Sequence, residues 1–392
     1  MSSSPATSVG QRGAPGRRGP EYDKDLTKHY VRMKGWLQPC LARRKIAKKQ
    51  NRPVRYFTLC AGEAMDVFML ERTKILRRNR DGILLATWFC EGDQDEFRRV
   101  SSRVRTTGRG FPGALEDIVL FKETDETRGR TRLNPGGETG GRISTQLRKA
   151  LEIKDQHEDL YAAFPFDVVN LDMTTPLFPP RQPNVSRLMQ TILQILDWQM
   201  TKPLPTLPEG QVIPEFTLML TVHVDEGPTN QEGVDALAQL VEENIEQVSM
   251  FRERWDVEFP DLSPADLATR DFERFLRIAL PKLLMERGLS RGWDVTSEGR
   301  FLYKRTRRQT TYTMLCEVLT FKGPVSAPVT QLYNLSGGGL LKRAAARITA
   351  EVWKAPVWAD RMIEVEPMRS EVNQDLDEVN AFAAQQTSGR AY

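Results

Sequence analysis

Gly62, Glu91 and Asp172 each stand at the end of an apolar, β-prone run of the sequence. A glycine lets the backbone pass close to a ligand, and a carboxylate has two oxygens that accept the hydrogen bonds of a cis-diol. The carboxyl ends of parallel strands lie at one edge of a sheet, so we expect these three positions to meet there. The sequence therefore predicts a nucleoside-sized hollow at that edge.

The element that would organise this edge is the stretch 54–70. Its apolar run changes at Gly62 to apolar residues with helical spacing, which predicts a strand, a tight turn and a helix. In a mononucleotide-binding unit that begins this way, the free N–H groups of the helix face the ligand crevice. We expect Cys60, Ala61, Gly62 and Glu63 to contact the ligand.

The rest of the chain alternates predicted strands with predicted helices and ends in a hairpin. The strands are expected at 83–90, 115–122, 166–173 and 216–224, and the antiparallel hairpin at 299–305 and 311–321. The run at 83–90 is apolar on both faces, which is typical of a strand in the middle of a parallel sheet. This order predicts an α/β fold with a mostly parallel sheet and helices on both faces.

Composition divides the chain into five predicted regions. They are a disordered basic arm at 1–22, a basic amphipathic helix at 23–53, the α/β domain at 54–325, a helical extension at 326–366 and a polar tail at 367–392. The arm has almost no large apolar side chains to offset the entropy of ordering. The helix repeats apolar residues every three to four positions.

The composition also excludes several classes of protein. Among 392 residues, 40% are hydrophobic and the mean hydropathy is −0.47, while no apolar run approaches the roughly 20 residues of a membrane span. A hydrophobic signal core is missing, so we expect a cytoplasmic protein. Four dispersed cysteines indicate reduced core residues, and three histidines without ligand spacing argue against a zinc site.

A net charge of +4 is too small to indicate a nucleic-acid partner, but basic residues crowd the N-terminal helix. Arg43, Arg44 and Lys48 belong to this cluster and are candidates for phosphate contacts. A solvated helical face is the alternative interpretation. Phe178, in a proline-rich loop after the predicted fourth strand, is a candidate for stacking on a flat substrate or for core packing.

Two glycine-rich stretches have part of the pattern of a phosphate-binding loop. Residues 134–142 have the GxxxxG spacing, but Arg142 and Ile143 stand where lysine and serine or threonine are required. The stretch 336–339 before a predicted helix is a similarly weak signal. We interpret the first stretch as a surface loop.

The order of elements from Val54 to Phe321 resembles the class I S-adenosylmethionine-dependent methyltransferases, which have a Rossmann-like, seven-stranded sheet ending in one antiparallel strand. The resemblance implies S-adenosylmethionine as cofactor, with the Gly62 turn against its methionine part and Glu91 on its ribose. Asp117 is a candidate adenine contact. Asp172, the candidate catalytic residue, and the following loop stand where the family keeps its substrate-facing residues.

The chain departs from the family where substrates are methylated. Asp172-Met-Thr-Thr-Pro-Leu-Phe replaces the Asp/Asn-Pro-Pro-aromatic motif of base-methylating members, and no cysteine nucleophile follows the fourth strand. Tyr56-Phe-Thr-Leu-Cys-Ala-Gly62 behind a basic helix also resembles the bacterial three-Cys-motif partner proteins. We therefore keep two main hypotheses: a methyltransferase, with nucleic acid as one candidate substrate, and a non-catalytic nucleic-acid-binding or assembly subunit with a protein partner. A metal-dependent nuclease is a third and weaker hypothesis, because the sequence has no strand-borne Asp followed by a Glu-x-Lys strand in a fitting context.

Overall fold

The apolar runs pair into one eight-stranded sheet in a computed structural model of the chain. The strands are β1 (Tyr56–Leu59), β2 (Thr87–Glu91), β3 (Gly110–Pro112), β4 (Val168–Pro176), β5 (Glu215–His223), β6 (Asp294–Arg307), β7 (Thr310–Lys322) and β8 (Val357–Trp358). Their spatial order is β3-β2-β1-β4-β5-β7-β6-β8, and only β7 runs antiparallel to its neighbours. This α/β architecture fits a Rossmann-like fold, with one short strand more than predicted.

The structure describes residues 25–60, 63–122, 124, 145–178, 186–203, 213–224, 231–307, 310–323 and 348–388. Several predictions lie outside these residues: the arm at 1–22, the turn residues Ala61 and Gly62, and the glycine-rich stretches at 134–142 and 336–339.

Helices cover both faces of the sheet. They are α1 (Leu26–Val31), α2 (Leu37–Lys49), α3 (Met65–Arg72), α4 (Gln94–Val104), α5 (Leu115–Val119), α6 (Thr145–Ala163), α7 (Arg187–Thr201), α8 (Gln231–Gln247), α9 (Ser249–Glu258), α10 (Pro264–Arg270), α11 (Phe272–Ser290), α12 (Ala359–Ile363) and α13 (Met368–Ser388). One face, which we call the N-terminal face, carries α1–α4, α12 and α13. The other carries α5–α11 and a larger apolar core.

The predicted N-terminal helix is continuous but contains a π-helical turn, Arg32–Trp36, between α1 and α2. Such turns often occur at functional sites. Gly35 lies in this turn against the ring of Phe301 in β6, and a Cβ there would come within 2.6 Å of the ring. The glycine therefore allows the helix to lie directly on the sheet.

Two predictions about local structure are wrong. The third strand was expected at 115–122, but β3 is the three-residue stretch Gly110–Pro112, and the apolar residues at 115–119 form α5. Only Phe111 of β3 is fully buried, which leaves too little apolar pattern for a strand prediction.

The expected polar tail from residue 367 contains the 21-residue helix α13. Val372, Leu376, Val379 and Ala383 recur along it at helical spacing and are buried on the N-terminal face. Asp375 of α13 also hydrogen-bonds the buried His29 of α1, with 2.9 Å between Oδ2 and Nε2. The C-terminal helix therefore holds the N-terminal helix in place.

All four cysteines are free and buried, as the sequence predicted. Within the ranges that the structure describes, no helix has both the length and the apolar character that crossing a bilayer requires.

Candidate functional site

β1 and β2 end at one level of the sheet, and Asp172 stands at the same level within β4, which continues to Pro176. Leu59 pairs with Cys90, so Cys60 is level with Glu91, and Thr58 pairs with Asn170, so Cys60 is also level with Asp172. Neighbouring strands are roughly 4.8 Å apart, which puts the two acidic Cα atoms roughly 10 Å from each other across β1.

The side chains of these positions point to the same face. Alternate residues of a strand share a face, and Tyr56, Phe89 and Val168 pack on the N-terminal face. Cys60, Glu91 and Asp172 follow them at even spacing. Burial raises the pKa of the Cys60 thiol, and the nearby carboxylates of Asp66, Glu91 and Asp172 raise it further. Glu91 and Asp172 therefore lie at one level and on one face, as predicted, but Asp172 does not end its strand, because β4 continues to Pro176, and Gly62 is outside the described residues.

This edge is also where the sheet order reverses. From β1, the chain continues to β2 and β3 on one side, then crosses to β4 and β5 on the other side. Loops leave a reversal point in opposite directions, which opens a crevice beyond the carboxyl ends of the strands. The crevice is the place where open α/β sheets bind ligands.

A buried carboxylate supports the wall of this crevice. Asp66, in the first turn of α3, accepts hydrogen bonds of 2.7 Å from the hydroxyls of both Tyr56 and Thr58, and one of 3.2 Å from the Asn170 amide. These bonds connect α3 to β1 and β4. The residue before α3, Ala64, has a φ of 50°, in the left-handed region that non-glycine residues rarely adopt. A strained entry of this kind often accompanies a functional site.

The crevice itself is closed by the N-terminal helix. Lys28 of α1, which is 2% exposed, donates a hydrogen bond from Nζ to Oδ2 of Asp172. Burial alone would raise the pKa of Asp172, but the charges of Lys28, Arg305 and Arg32 outweigh burial and hold it below its usual value. Asp172 is therefore an ionised carboxylate in a cationic setting.

The space left between these residues is small. A hollow of about 60 Å³ remains, lined by residues of α1, the π-helical turn, α3 and the strand ends, including Arg32, Glu63, Asp66 and Asp172. Pockets that bind small molecules measure roughly 300 Å³ or more, so this hollow has room for only a few water molecules. The methionine part of S-adenosylmethionine does not fit while Lys28 and Arg32 occupy the crevice.

Glu91 lies at the more open part of the edge. It is half-buried, and its Oε1 accepts the backbone N–H of Asp93 at 2.9 Å. Burial raises the pKa of Glu91, and the backbone N–H groups that it accepts oppose that rise. A carboxylate offers about four acceptor positions, so Glu91 retains capacity for further donors.

Two other predicted site residues have different surroundings. Asp117 follows the corrected β3, in the first turn of α5, and its carboxylate pairs with Arg187 at 2.8 Å on the surface. Phe178 is 3% exposed and packs edge-on against Phe272, with 6.2 Å between the ring centroids. Phe178 is therefore a core residue in this structure and does not face the crevice.

Part of the basic N-terminal cluster is internal. Arg43 is 4% exposed and pairs with Glu215 at the start of β5, so it does not face solvent. Arg52 forms a bidentate pair with the fully buried Asp167, and Arg55 lies 4.7 Å over the Trp88 ring. These arginines hold the first helix to the sheet.

Other members of the cluster remain on the surface. Arg44 is partly exposed and contacts the Thr73 carbonyl at 3.5 Å, which brings the end of α2 beside the end of α3. The exposed cations of these two helix ends are Lys45, Lys48, Lys49, Lys74, Arg77 and Arg80. We call these six cations the basic surface; they lie toward the amino ends of the strands, away from the crevice, because α2 and α3 run against the strand direction.

Sequence reasoning missed Lys28, Arg32, Arg305 and Tyr303 as parts of the crevice. Burial and the nearby Asp172 carboxylate raise the pKa of Tyr303 well above its usual value. The Tyr303 hydroxyl and Oδ1 of Asp172 are buried, and within the described ranges neither has a hydrogen-bond partner. The local pattern gave no signal for the two helix residues, because at helical spacing Lys28 and Arg32 stand on the side opposite apolar residues such as Leu26 and Tyr30.

The residues that the structure describes contain no cluster of three or more His, Cys, Asp or Glu side chains that could hold a metal ion. No family model matches the chain, and no curated protein matches it either.

Proposed function

We propose that the protein is a methyltransferase-type protein that binds S-adenosylmethionine at the carboxyl edge of β1, β2 and β4. The observation that carries this proposal is that Glu91 and Asp172 flank Cys60 at one level, on one face, where the sheet order reverses. The single antiparallel strand, β7, near the end of a parallel sheet supports the resemblance further.

Each residue would have a distinct part in such a site. Glu91 would accept the ribose hydroxyls, and the turn from Cys60 to Glu63 would lie against the methionine part. Because β3 ends at Pro112, Glu116 and Asp117 stand after the third strand, where the family places its adenine contact. The bound cofactor would supply an electrophilic methyl group.

Asp172 would orient a substrate group. A carboxylate whose pKa lies below its usual range is a poor proton acceptor near neutral pH, because general bases work best with a pKa near the operating pH. It remains a strong acceptor for hydrogen bonds from an amine or hydroxyl.

The second candidate is a non-catalytic subunit on the same scaffold, and the pairing of Lys28 with Asp172 favours it. The pair satisfies the carboxylate internally and leaves a hollow of only about 60 Å³. For the first candidate, α1 must withdraw from the crevice before the cofactor enters. The surface around Lys48 suits a polyanion such as nucleic acid under either candidate.

Isothermal titration calorimetry with S-adenosylmethionine tests the proposal. We expect binding by the full chain, weaker binding by Glu91→Ala, and unchanged binding by the control Asp95→Ala, whose side chain is 84% exposed on α4. Absence of binding at millimolar ligand, or equal binding by Glu91→Ala, would overturn the cofactor assignment.

Lys28→Ala separates the two candidates. If α1 closes a cofactor site, removing the lysine opens the crevice, and the affinity for S-adenosylmethionine should rise. If the side chains of α1 fill the crevice permanently and the cofactor site has been lost, neither the wild type nor Lys28→Ala should bind S-adenosylmethionine.

For the basic surface, affinity for a nucleic acid should fall steeply as salt rises, and a flat salt dependence would exclude phosphate contacts.

A further inference from the structure

A second hollow lies far from the crevice, between α9, α11, β6 and the segment 352–355. Its volume is about 140 Å³, more than twice that of the crevice hollow. None of the sequence motifs indicated it, because its walls come from four separate parts of the chain. We call it the arginine hollow, since Arg254, Arg274, Arg277 and Arg300 line it.

Positive charge exceeds negative charge on its walls. The lining contains four arginines and Lys354 but one carboxylate, Glu258, which lies 2.9 Å from Arg254 and 3.8 Å from Arg274. The carboxylates of Glu273, Glu317 and Glu351 pair with lining cations without themselves lining the hollow. With these three included, the group still has one cation in excess.

The most buried of these arginines has a free donor. Arg300 has 2% of its side chain exposed. Its Nε donates to Glu317, and its Nη1 donates to the carbonyls of Val352 at 2.7 Å and Lys354 at 2.9 Å. Its Nη2 is buried and has no hydrogen-bond partner among the described residues. A buried donor without an acceptor is costly, and a ligand acceptor would relieve that cost.

Two further buried donors on the walls of the hollow also lack a hydrogen-bond partner among the described residues. Nε of Arg277 and the indole Nε1 of Trp353 are buried, and the described part of the chain offers neither a partner. Burial lowers the pKa of Arg277, and the nearby charges of Arg300 and Arg274 lower it further. An anion in the hollow would offset this crowding of like charges.

Aromatic rings keep the outer arginines in position. The guanidinium of Arg274 lies 4.7 Å from the ring centre of Phe259, and that of Arg254 lies 5.9 Å from that of Trp353. Stacking on a ring fixes the plane of a guanidinium and leaves its edge free to donate.

We infer that the arginine hollow is a binding site for a phosphoryl group. The unpaired donors of Arg277, Arg300 and Trp353 come from three separate parts of the chain, and a phosphoryl group has three strong acceptor oxygens that point in different directions. A carboxylate also has enough acceptor positions for three donors, but its two oxygens lie in one plane and it carries less negative charge than a phosphoryl group. Guanidinium groups also bind phosphate through paired, charge-assisted hydrogen bonds. This site is independent of the cofactor site proposed above.

Calorimetry of the full chain with inorganic phosphate, and in parallel with acetate, tests this inference. We expect phosphate to bind, and to bind more tightly than acetate. Trp353→Phe keeps the ring but removes the indole N–H, and it should weaken phosphate binding about tenfold, the equivalent of one hydrogen bond. Glu258→Gln removes the one carboxylate among the described lining residues and should strengthen binding severalfold.

Arg98→Gln is the control, because Arg98 is a 76% exposed arginine on α4, away from the hollow, and its loss should leave phosphate binding unchanged. The inference fails if phosphate does not bind at millimolar concentration, if acetate binds equally well, or if Trp353→Phe and Arg98→Gln have the same effect. S-adenosylmethionine binding should not respond to Trp353→Phe, so this result is separable from the cofactor proposal.

Discussion

Asp172 at the crevice and Glu317 behind the arginine hollow are both buried carboxylates beside cations, but the balance of charge differs. At the crevice, Lys28, Arg32 and Arg305 outweigh burial and lower the pKa of Asp172. At the hollow, burial raises the pKa of Glu317 in spite of Arg300 and Arg277. The crevice, where the fold predicts a ligand, is therefore filled by side chains of the protein itself. The arginine hollow, which the fold does not predict, has hydrogen-bond donors without partners among the described residues.

This difference implies two modes of ligand entry. A ligand at the crevice must compete with Lys28 and displace α1, so its apparent affinity includes the cost of that movement. A ligand at the arginine hollow finds donors that are already positioned, so it has little rearrangement to overcome.

The largest expected effect comes from breaking the ion pair at the hollow. Arg300→Met leaves the fully buried Glu317 without its nearest cation and should lower the free energy of unfolding by about 3–5 kcal/mol. Urea denaturation without phosphate measures this. The double variant Arg300→Met/Glu317→Leu should recover most of the loss, because it removes both charges. If the double variant is as unstable as Arg300→Met, packing rather than charge explains the effect.

Breaking the pair at the crevice should cost less. Lys28→Met removes one of three cations around Asp172 and should lower the free energy of unfolding by about 2 kcal/mol, since Arg32 and Arg305 remain. The matched control is Lys34→Met, whose pair with Glu371 is solvent-exposed and is expected to contribute less than about 0.5 kcal/mol. Equal losses in the two variants would contradict a buried, closed crevice.

The two carboxylates should also give opposite pH dependences. A lowered pKa means that Asp172 stabilises the fold above its unfolded pKa, and this contribution is lost as the pH falls through the folded value. A raised pKa means that the contribution of Glu317 is present below its unfolded pKa and is lost as the pH rises through the folded value.

Urea denaturation between about pH 3 and pH 7 measures both slopes. Relative to the wild type, Asp172→Asn should become less destabilised as the pH falls below about 4, and Glu317→Gln should become less destabilised as the pH rises above about 4.5. Parallel slopes for the two variants would show that the charge balance does not differ between the sites.

Strands with strong apolar runs could be predicted from the sequence, and so could the position of Glu91 and Asp172 at one level of the sheet, although β4 continues to Pro176 beyond Asp172. β3 could not, because a three-residue strand with one buried side chain has no usable period. The sequence contains the apolar residues of the buried face of α13, which are Val372, Leu376, Val379 and Ala383. Because most other residues of the segment are polar, the helical spacing of these four was overlooked.

The ion pair between Lys28 and Asp172, which closes the crevice, could not be predicted from the sequence for a different reason. Lys28 and Asp172 are 144 residues apart, and nothing in the local pattern of either residue indicates the other. The arginine hollow is similar, because Arg277, Arg300 and Trp353 converge only after α11, β6 and the residues after 347 have packed together.

Hydrogen–deuterium exchange of the full chain with and without S-adenosylmethionine tests the central claim most directly. The claim is that this ligand binds at the ends of β1 and β2 and displaces α1. The predicted result is slower exchange at 59–66 and 89–93 and faster exchange at 26–36. Exchange that the ligand leaves unchanged in all three segments, or slows only elsewhere, would contradict the claim.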